Sequence, residues 1–287
     1  MFALGLYLGT RAPWRRAEAP VVSERPAAPR AAAPRPPARR APVPPPGPPA
    51  AAAPVPERAP AGGARVALVV DDLGRSVADL ERLGRLGVPI TYAVLPFESV
   101  TAPVAAYLLE RGEEVLCHLP MAGQNGADPG PGALRLEMSP GELAAATGAA
   151  LQAVPGAVGV NNHMGSSLSA DRDAMRAILN VLAERGLFYL DSRTTPESVG
   201  YEVALELGLA AAQRHVFLDP DPAPAQIVAQ FYRLLALARE QGAAIGIAHP
   251  HPATLAMLEA EVPRARALGY EFVPVSYLLD RTGEPAE

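Results

Sequence analysis

The sequence predicts an α/β domain, an irregular (β/α)7-8 barrel over residues 64–283, and three observations predict it. Short apolar runs recur without polar alternation, the first being Val66-Ala67-Leu68-Val69-Val70, and such runs read as parallel strands covered on both faces. Between them the apolar period changes to that of amphipathic helices, as with Val77, Leu80, Leu83 and Leu86. The runs end in turn-forming or ionisable residues rather than in more hydrophobic sequence. A doubly wound sheet would share these features, but length and unit count favour the barrel.

The elements follow in order. Strands are expected at 66–70, 90–95, 114–118, 158–161, 187–190, 215–218 and 244–248, with 272–275 as an eighth. Helices are expected at 76–86, 102–111, 171–185, 196–207, 223–241 and 253–267. A further helix is opened by Ser139-Pro140-Gly141-Glu142, which offers a cap, a proline at the first helical position and a glutamate at the third. The Gly/Pro/Asn-rich stretch 122–133 is long for a connection in this architecture and is therefore a candidate site loop.

Ahead of the domain the composition changes. Residues 17–63 form a Pro/Ala/Arg-rich stretch with fifteen prolines from Pro20 to Pro60, which cannot continue a helix or fill a core and reads as a disordered, partly polyproline linker. Such a linker is expected to hold the body away from a surface, the alternative expectation being a docking segment for an envelope protein partner that recognises proline. Residues 1–16 join a nine-residue apolar run to Arg11, Arg15 and Arg16, with Trp14 at the boundary. Nine residues are too few to span a bilayer, and no basic segment precedes them, so they read either as a disordered start or as a truncated signal or membrane anchor. The second reading places the domain in the periplasm or cell envelope, tethered to a membrane through its N-terminus. The first leaves it cytoplasmic.

Charge and cysteine content exclude several classes. Residues 1–63 carry nine Arg against three Glu, which leaves sixteen Arg against twenty-seven acidic residues in the remainder. A body near −11 is not built to bind nucleic acid. One cysteine, Cys117, permits neither an internal disulfide nor a cysteine-rich zinc site. No Gly-x-Gly-x-x-Gly follows the first strand and no Gly-x-Ser-x-Gly elbow occurs, so dinucleotide chemistry and the usual serine-hydrolase arrangement are not indicated.

The functional signal lies at the strand ends. The first strand runs into Asp71-Asp72-Leu73-Gly74, which alone could be a helix cap and a turn. Two adjacent carboxylates repel and are costly to desolvate, a cost that a cation between them would offset. Four of the five histidines, His118, His163, His249 and His251, follow expected strands, and carboxyl ends of parallel strands converge on one face. Asp72, His118 and His163 are the candidate ligands of a divalent metal with an open position for water. Asp71 is the candidate base, His249 the candidate acid, and Arg193 a cation to hold Asp71 ionised or to bind a substrate oxygen. His215 precedes its strand and reads as structural.

Six separated stretches, in order, resemble the divergent polysaccharide deacetylases, a branch of the carbohydrate esterases with a distorted β/α barrel. They are Val69 to Gly74, Thr91 to Phe97, His118 to Met121, Asn161 to Ser166, Leu190 to Thr194 and Ile245 to Pro250, and the match they mark out covers essentially all of 64–280. The resemblance implies zinc as the metal, an acetylated sugar or glycan as substrate, Asp71 as base, Asp72 as ligand and His249 as acid. One departure stands out: the broad family carries two metal histidines four residues apart, whereas four past His118 is Ala122, so His163 is the candidate for the second. A non-catalytic glycan- or partner-binding module retaining the deacetylase fold is the alternative expectation.

Overall fold

The structure is a computed structural model that describes residues 56–60, 62–124 and 126–280. The expectations for 1–16 and for most of the linker lie outside the described residues. The linker's last described part is already fixed on the body. Ala59 N donates to Leu268 O at 2.9 Å, and the Tyr270 hydroxyl donates to Glu57 O at 3.0 Å.

The strands are β1 (Ala64–Leu73), β2 (Thr91–Val94), β3 (Glu114–Met121), β4 (Gly159–Met164), β5 (Phe188–Asp191), β6 (Ala211–Gln213), β7 (Val216–Phe217), β8 (Ala243–Ala248) and β9 (Tyr270–Phe272). The helices are α1 (Ala78–Gly84), α2 (Thr101–Glu110), α3 (Pro140–Ala153), α4 (Arg172–Ala183), α5 (Gly200–Glu206), α6 (Pro224–Gln241) and α7 (Pro252–Ala267). All strand pairs are parallel, in the order β6-β5-β4-β3-β2-β1-β8-β7. The outermost strands, β6 and β7, are joined by Arg214 and His215 alone. Three Cα steps reach no more than about 11 Å, so the sheet must curl until its edges meet. Across the junction Arg214 N donates to Asp191 O and His215 N to Ile245 O, both at 2.9 Å. β6 and β7 thus act as one bent stave, whose first half pairs with β5 and whose second half pairs with β8.

Alternation along the strands divides the core in two. Ala67 and Val69 of β1, Ala93 of β2, Leu116 of β3, Phe188 and Leu190 of β5, Ala212 of β6, and Ile245 and Ile247 of β8 fill the barrel interior. The alternate residues Val66, Leu68 and Val70, with Cys117, Val160 and Tyr189, face the helices. Burying both faces requires the unbroken apolar runs seen in the sequence, each fully buried large side chain contributing about 1.5–3 kcal/mol. On α4 the buried Met175, Ile178, Leu179 and Leu182 make the stripe that seats it. Ser139 and Glu142 form a complete capping box at the start of α3, with Pro140 at the first position.

Three elements depart from expectation, the first being β6, which no expected strand covers. Residues 272–275 do not close the barrel; β9 instead pairs with the beginning of β1, Ala64 to Val66, below the point where β2 joins. Helix α5 begins at Gly200 rather than 196, because Asp191 ties the preceding loop down: its carboxylate accepts from Ser198 Oγ at 2.7 Å and Tyr201 N at 3.1 Å.

Candidate metal centre and catalytic pocket

The inward positions continue upward past the apolar layer, and the site is that top layer. Stepping by two from Ala67 and Val69 gives Asp71, from Leu116 gives His118, from Leu190 gives Ser192, from Ala212 gives Arg214, and from Ile247 gives His249. Asp72 falls out of this phase. A bulge in β1 corrects it: Val70 pairs with Tyr92 but Leu73 with Val94, so three steps on β1 oppose two on β2. Asp72 takes a left-handed backbone, φ 59°, which costs a non-glycine residue about 1–2 kcal/mol and swings its side chain back toward the interior. Adjacent carboxylates therefore reach one site from one strand.

Asp72, His118 and His163 place their ligand-type atoms together. Asp72 Oδ1 is 2.9 Å from His163 Nδ1 and 3.3 Å from His118 Nε2, and the two nitrogens are 3.1 Å apart. A tetrahedral ion with bonds of about 2.0–2.1 Å separates its ligand atoms by roughly 3.3 Å. The triangle has those dimensions. Asp72 Oδ1 is also shut off from solvent and accepts no aligned hydrogen bond, the condition of an oxygen waiting for a cation. Burial alone would raise the Asp72 pKa, but the two imidazoles outweigh it and hold the carboxyl well below the usual range.

Asp71 lies beside this triangle, buried, with Oδ1 accepting from Asn161 Nδ2 at 2.8 Å and Oδ2 3.6 Å from His118 Nε2. Burial raises its pKa, against the charges of His118 and His249. Burial pulls the His118 pKa down, but the charge of Asp71 and the contact with Asp72 prevail and raise it. His249 belongs to a separate dyad: its Nδ1 is 3.0 Å from Asp219 Oδ1, while Asp219 Oδ2 accepts from His249 N and Thr254 Oγ1, both at 2.8 Å. Burial opposes charge on His249, yet the bond to Asp219 with the fields of Asp71 and Asp72 brings its pKa up to about 8. Asp219, His249 and His251 also bring ligand-type atoms together, but the oxygens of Asp219 are already taken by these donors.

A cavity of about 310 Å³ connects the groups, lined by Asp71, His118, His163, Arg214 and His249, with Met164, Phe217 and Ile247 as apolar wall. Its volume is at the lower end of small-molecule sites, about 300–1,000 Å³. Arg193 lines the cavity as well, but its guanidinium donates to Ser198 O at 2.9 Å and Pro196 O at 3.3 Å. The guanidinium coupled to the charge of Asp71 belongs to Arg214, whose Nε and Nη2 donate to Ser192 O and Arg193 O at 2.6 and 2.7 Å and whose plane lies over Phe217. Asn161, Ser192, Arg214 and Asp219 thus join the six residues expected from the sequence. The loop 122–133 is fastened at its start, where the Ser167 hydroxyl donates to Ala122 O and Gln124 N to Ser166 Oγ.

Fold and site together define a curled parallel β/α barrel with a carboxylate–imidazole group able to hold a metal ion at the carboxyl ends of its strands. The chain belongs to the divergent polysaccharide deacetylase family, whose model matches residues 68–279. It is 34% identical over 197 residues to an uncharacterised protein of Haemophilus influenzae strain Rd, covering 69% of this chain and 70% of that one. It is 36% identical over 203 residues to the uncharacterised protein YibQ of Escherichia coli K12, covering 71% and 64%, so it spans less than two thirds of YibQ. An uncharacterised protein of Agrobacterium tumefaciens C58 has a similar crystal structure, with TM-score 0.70 and 25% identity over 75% of this chain and 89% of the other.

Proposed function

We propose that this protein is a zinc-dependent hydrolase that removes N- or O-acetyl groups from a polysaccharide of the cell envelope or an exported glycan. The observation that carries the reading is the Asp72–His118–His163 triangle, with Asp71 beside it and the His249–Asp219 dyad on the same cavity. A zinc ion held by Asp72, His118 and His163 would supply Lewis acidity toward an acetyl carbonyl and lower the pKa of water. Asp71, held by Asn161, would take the proton from that water. His249, kept charged by Asp219, would deliver a proton to the departing amine or alcohol. Phe217, Ile247 and Met164 would exclude solvent and receive the acetyl methyl. The proline-rich segment before the domain and the apolar, arginine-flanked start support a tethered placement in the periplasm or envelope. Among the described residues no helix is long and apolar enough to cross a membrane.

The experiment combines elemental analysis with acetate release from acetylated chitooligosaccharide and acetylated xylan. Asp72→Asn and His118→Ala are expected to lose zinc and turnover together, and Asp71→Asn to keep zinc while losing turnover. Full activity after chelation of all metal would overturn the reading. A second reading, a glycan-binding module without turnover, draws on the burial of Asp71, which disfavours the ionised base. Zinc retention and glycan binding without acetate release under any condition would establish it instead.

A further inference from the structure

The amide of Asn161 connects the two halves of the site. Its Nδ2 donates to Asp71 Oδ1 at 2.8 Å, with Ser192 Oγ as a second acceptor at 3.3 Å, and its Oδ1 lies 2.9 Å from His118 Nδ1. Asn161, His118 and Asp71 are 0%, 1% and 3% exposed, so water does not compete for these contacts. Donor and acceptor roles then follow from the partners alone. In the ionised form that its role as base requires, the Asp71 carboxylate only accepts, so Asn161 turns its NH₂ to Asp71 and hence its carbonyl oxygen to His118. That oxygen only accepts, so Nδ1 of His118 must carry a hydrogen. In the neutral ring Nε2 is left with a bare lone pair, 3.3 Å from Asp72 Oδ1 and 3.1 Å from His163 Nδ1, where the candidate ligand atoms meet.

We infer that Asn161 is a positioning residue that fixes the Nδ1–H tautomer of His118 and the orientation of the Asp71 carboxylate through the two ends of one amide. Ligand and base are thereby set by the same side chain, which the barrel supplies from an inward position of β4, in register with His118 on the neighbouring β3. This deepens the proposed function and rests on it for the identity of the cation. A partner that orients a metal-bound imidazole in this way typically changes metal affinity by roughly tenfold to a hundredfold. A buried polar side chain with a purely structural role would alter folding stability but would select neither tautomer.

The test uses the full chain and zinc alone as probe, with affinity measured by competition against a chromophoric chelator. Asn161→Leu, which removes both contacts at similar volume, is expected to weaken zinc binding by roughly tenfold to a hundredfold. Asn161→Asp retains an acceptor for His118 Nδ1–H but no donor for Asp71; it is expected to hold zinc within about threefold of the unmodified protein while acetyl turnover falls. Nitrogen NMR of wild-type His118, followed upward in pH until its signals stop moving, is expected to show protonated Nδ1 and bare Nε2. Zinc binding by Asn161→Leu equal to wild type, or a neutral His118 with its proton on Nε2, would overturn the inference. Should the wild type take up no zinc, the functional reading falls, whereas the tautomer still decides the role of Asn161.

Discussion

Replacing Asp219 with Asn changes one charge and almost no volume, and its effect can be worked from the dyad. His249 is raised from 6.5 to about 8 in the folded protein, which at about 1.4 kcal/mol per pH unit is roughly 2 kcal/mol in favour of the imidazolium. Asp219 supplies the bond at 3.0 Å and part of the favourable field, and Asp71 and Asp72 supply the rest of it. Without the carboxylate the His249 midpoint is expected to fall by about one unit or more, since burial then acts with less opposition. The sign for stability follows from linkage. A raised histidine stabilises fully below its unfolded pKa and loses that contribution as pH rises through about 8. A depressed Asp219 stabilises above its unfolded pKa and loses its contribution as pH falls through its lower folded value. The variant should therefore lose most stability relative to wild type between about pH 4 and 6.5, and less above pH 8. Proton NMR of the His249 ring gives the midpoint, and urea unfolding at pH 6 and pH 9 gives the difference. In an active preparation the alkaline limb of kcat/KM should move down with the midpoint. A midpoint unchanged or raised in Asp219→Asn would refute the coupling.

Phe231, fully buried on α6, should cost about 3–5 kcal/mol when changed to Ala, read as a lower denaturant midpoint at unchanged slope. Ser139→Ala removes one half of the capping box on α3 and should cost about 1 kcal/mol by the same measurement, without altering zinc uptake. Gly132→Ala should destabilise as well, because the residue has φ 73°, a left-handed backbone that alanine adopts only with strain; an unchanged melting temperature would contradict that conformation.

The strands and most helices were legible because burial on both faces leaves a pattern that no other arrangement of Val, Ile, Leu and Ala requires. Residues 211–213 escaped because Ala211-Ala212-Gln213 lacks the β-branched or aromatic character that marks a strand. Arg193 drew attention by its place after Asp191, yet β5 fills the interior with Phe188 and Leu190, so the next inward position is Ser192 and Arg193 is out of phase. The same count from Ala212 reaches Arg214, a signal available only once the short strand is recognised. Asn161 stands two residues before His163 in a resembling stretch, but an amide reveals its role only through the partners at its two ends. Asp219 lies two residues beyond the two-residue β7 and becomes informative only when its distance to His249 is known. The bulge that turns Asp72 inward leaves no period in the sequence at all.

The two-residue step from β6 to β7 makes the barrel wall a ring closed by covalent chain at one place and by parallel ladders everywhere else. Arg214 sits on that join and clasps the β5 side through two carbonyls while lying over Phe217 of β7. The imidazoles of His118 and His163 stand on one arc of the ring, and His249 stands beyond the join on the other. Their spacing across the cavity is consequently a hoop dimension, set by the tightness of one peptide stitch. Lengthening that stitch by even a few residues would let the hoop spread, drawing the arc that carries His118 and His163 away from the one that carries His249 without touching any of the three.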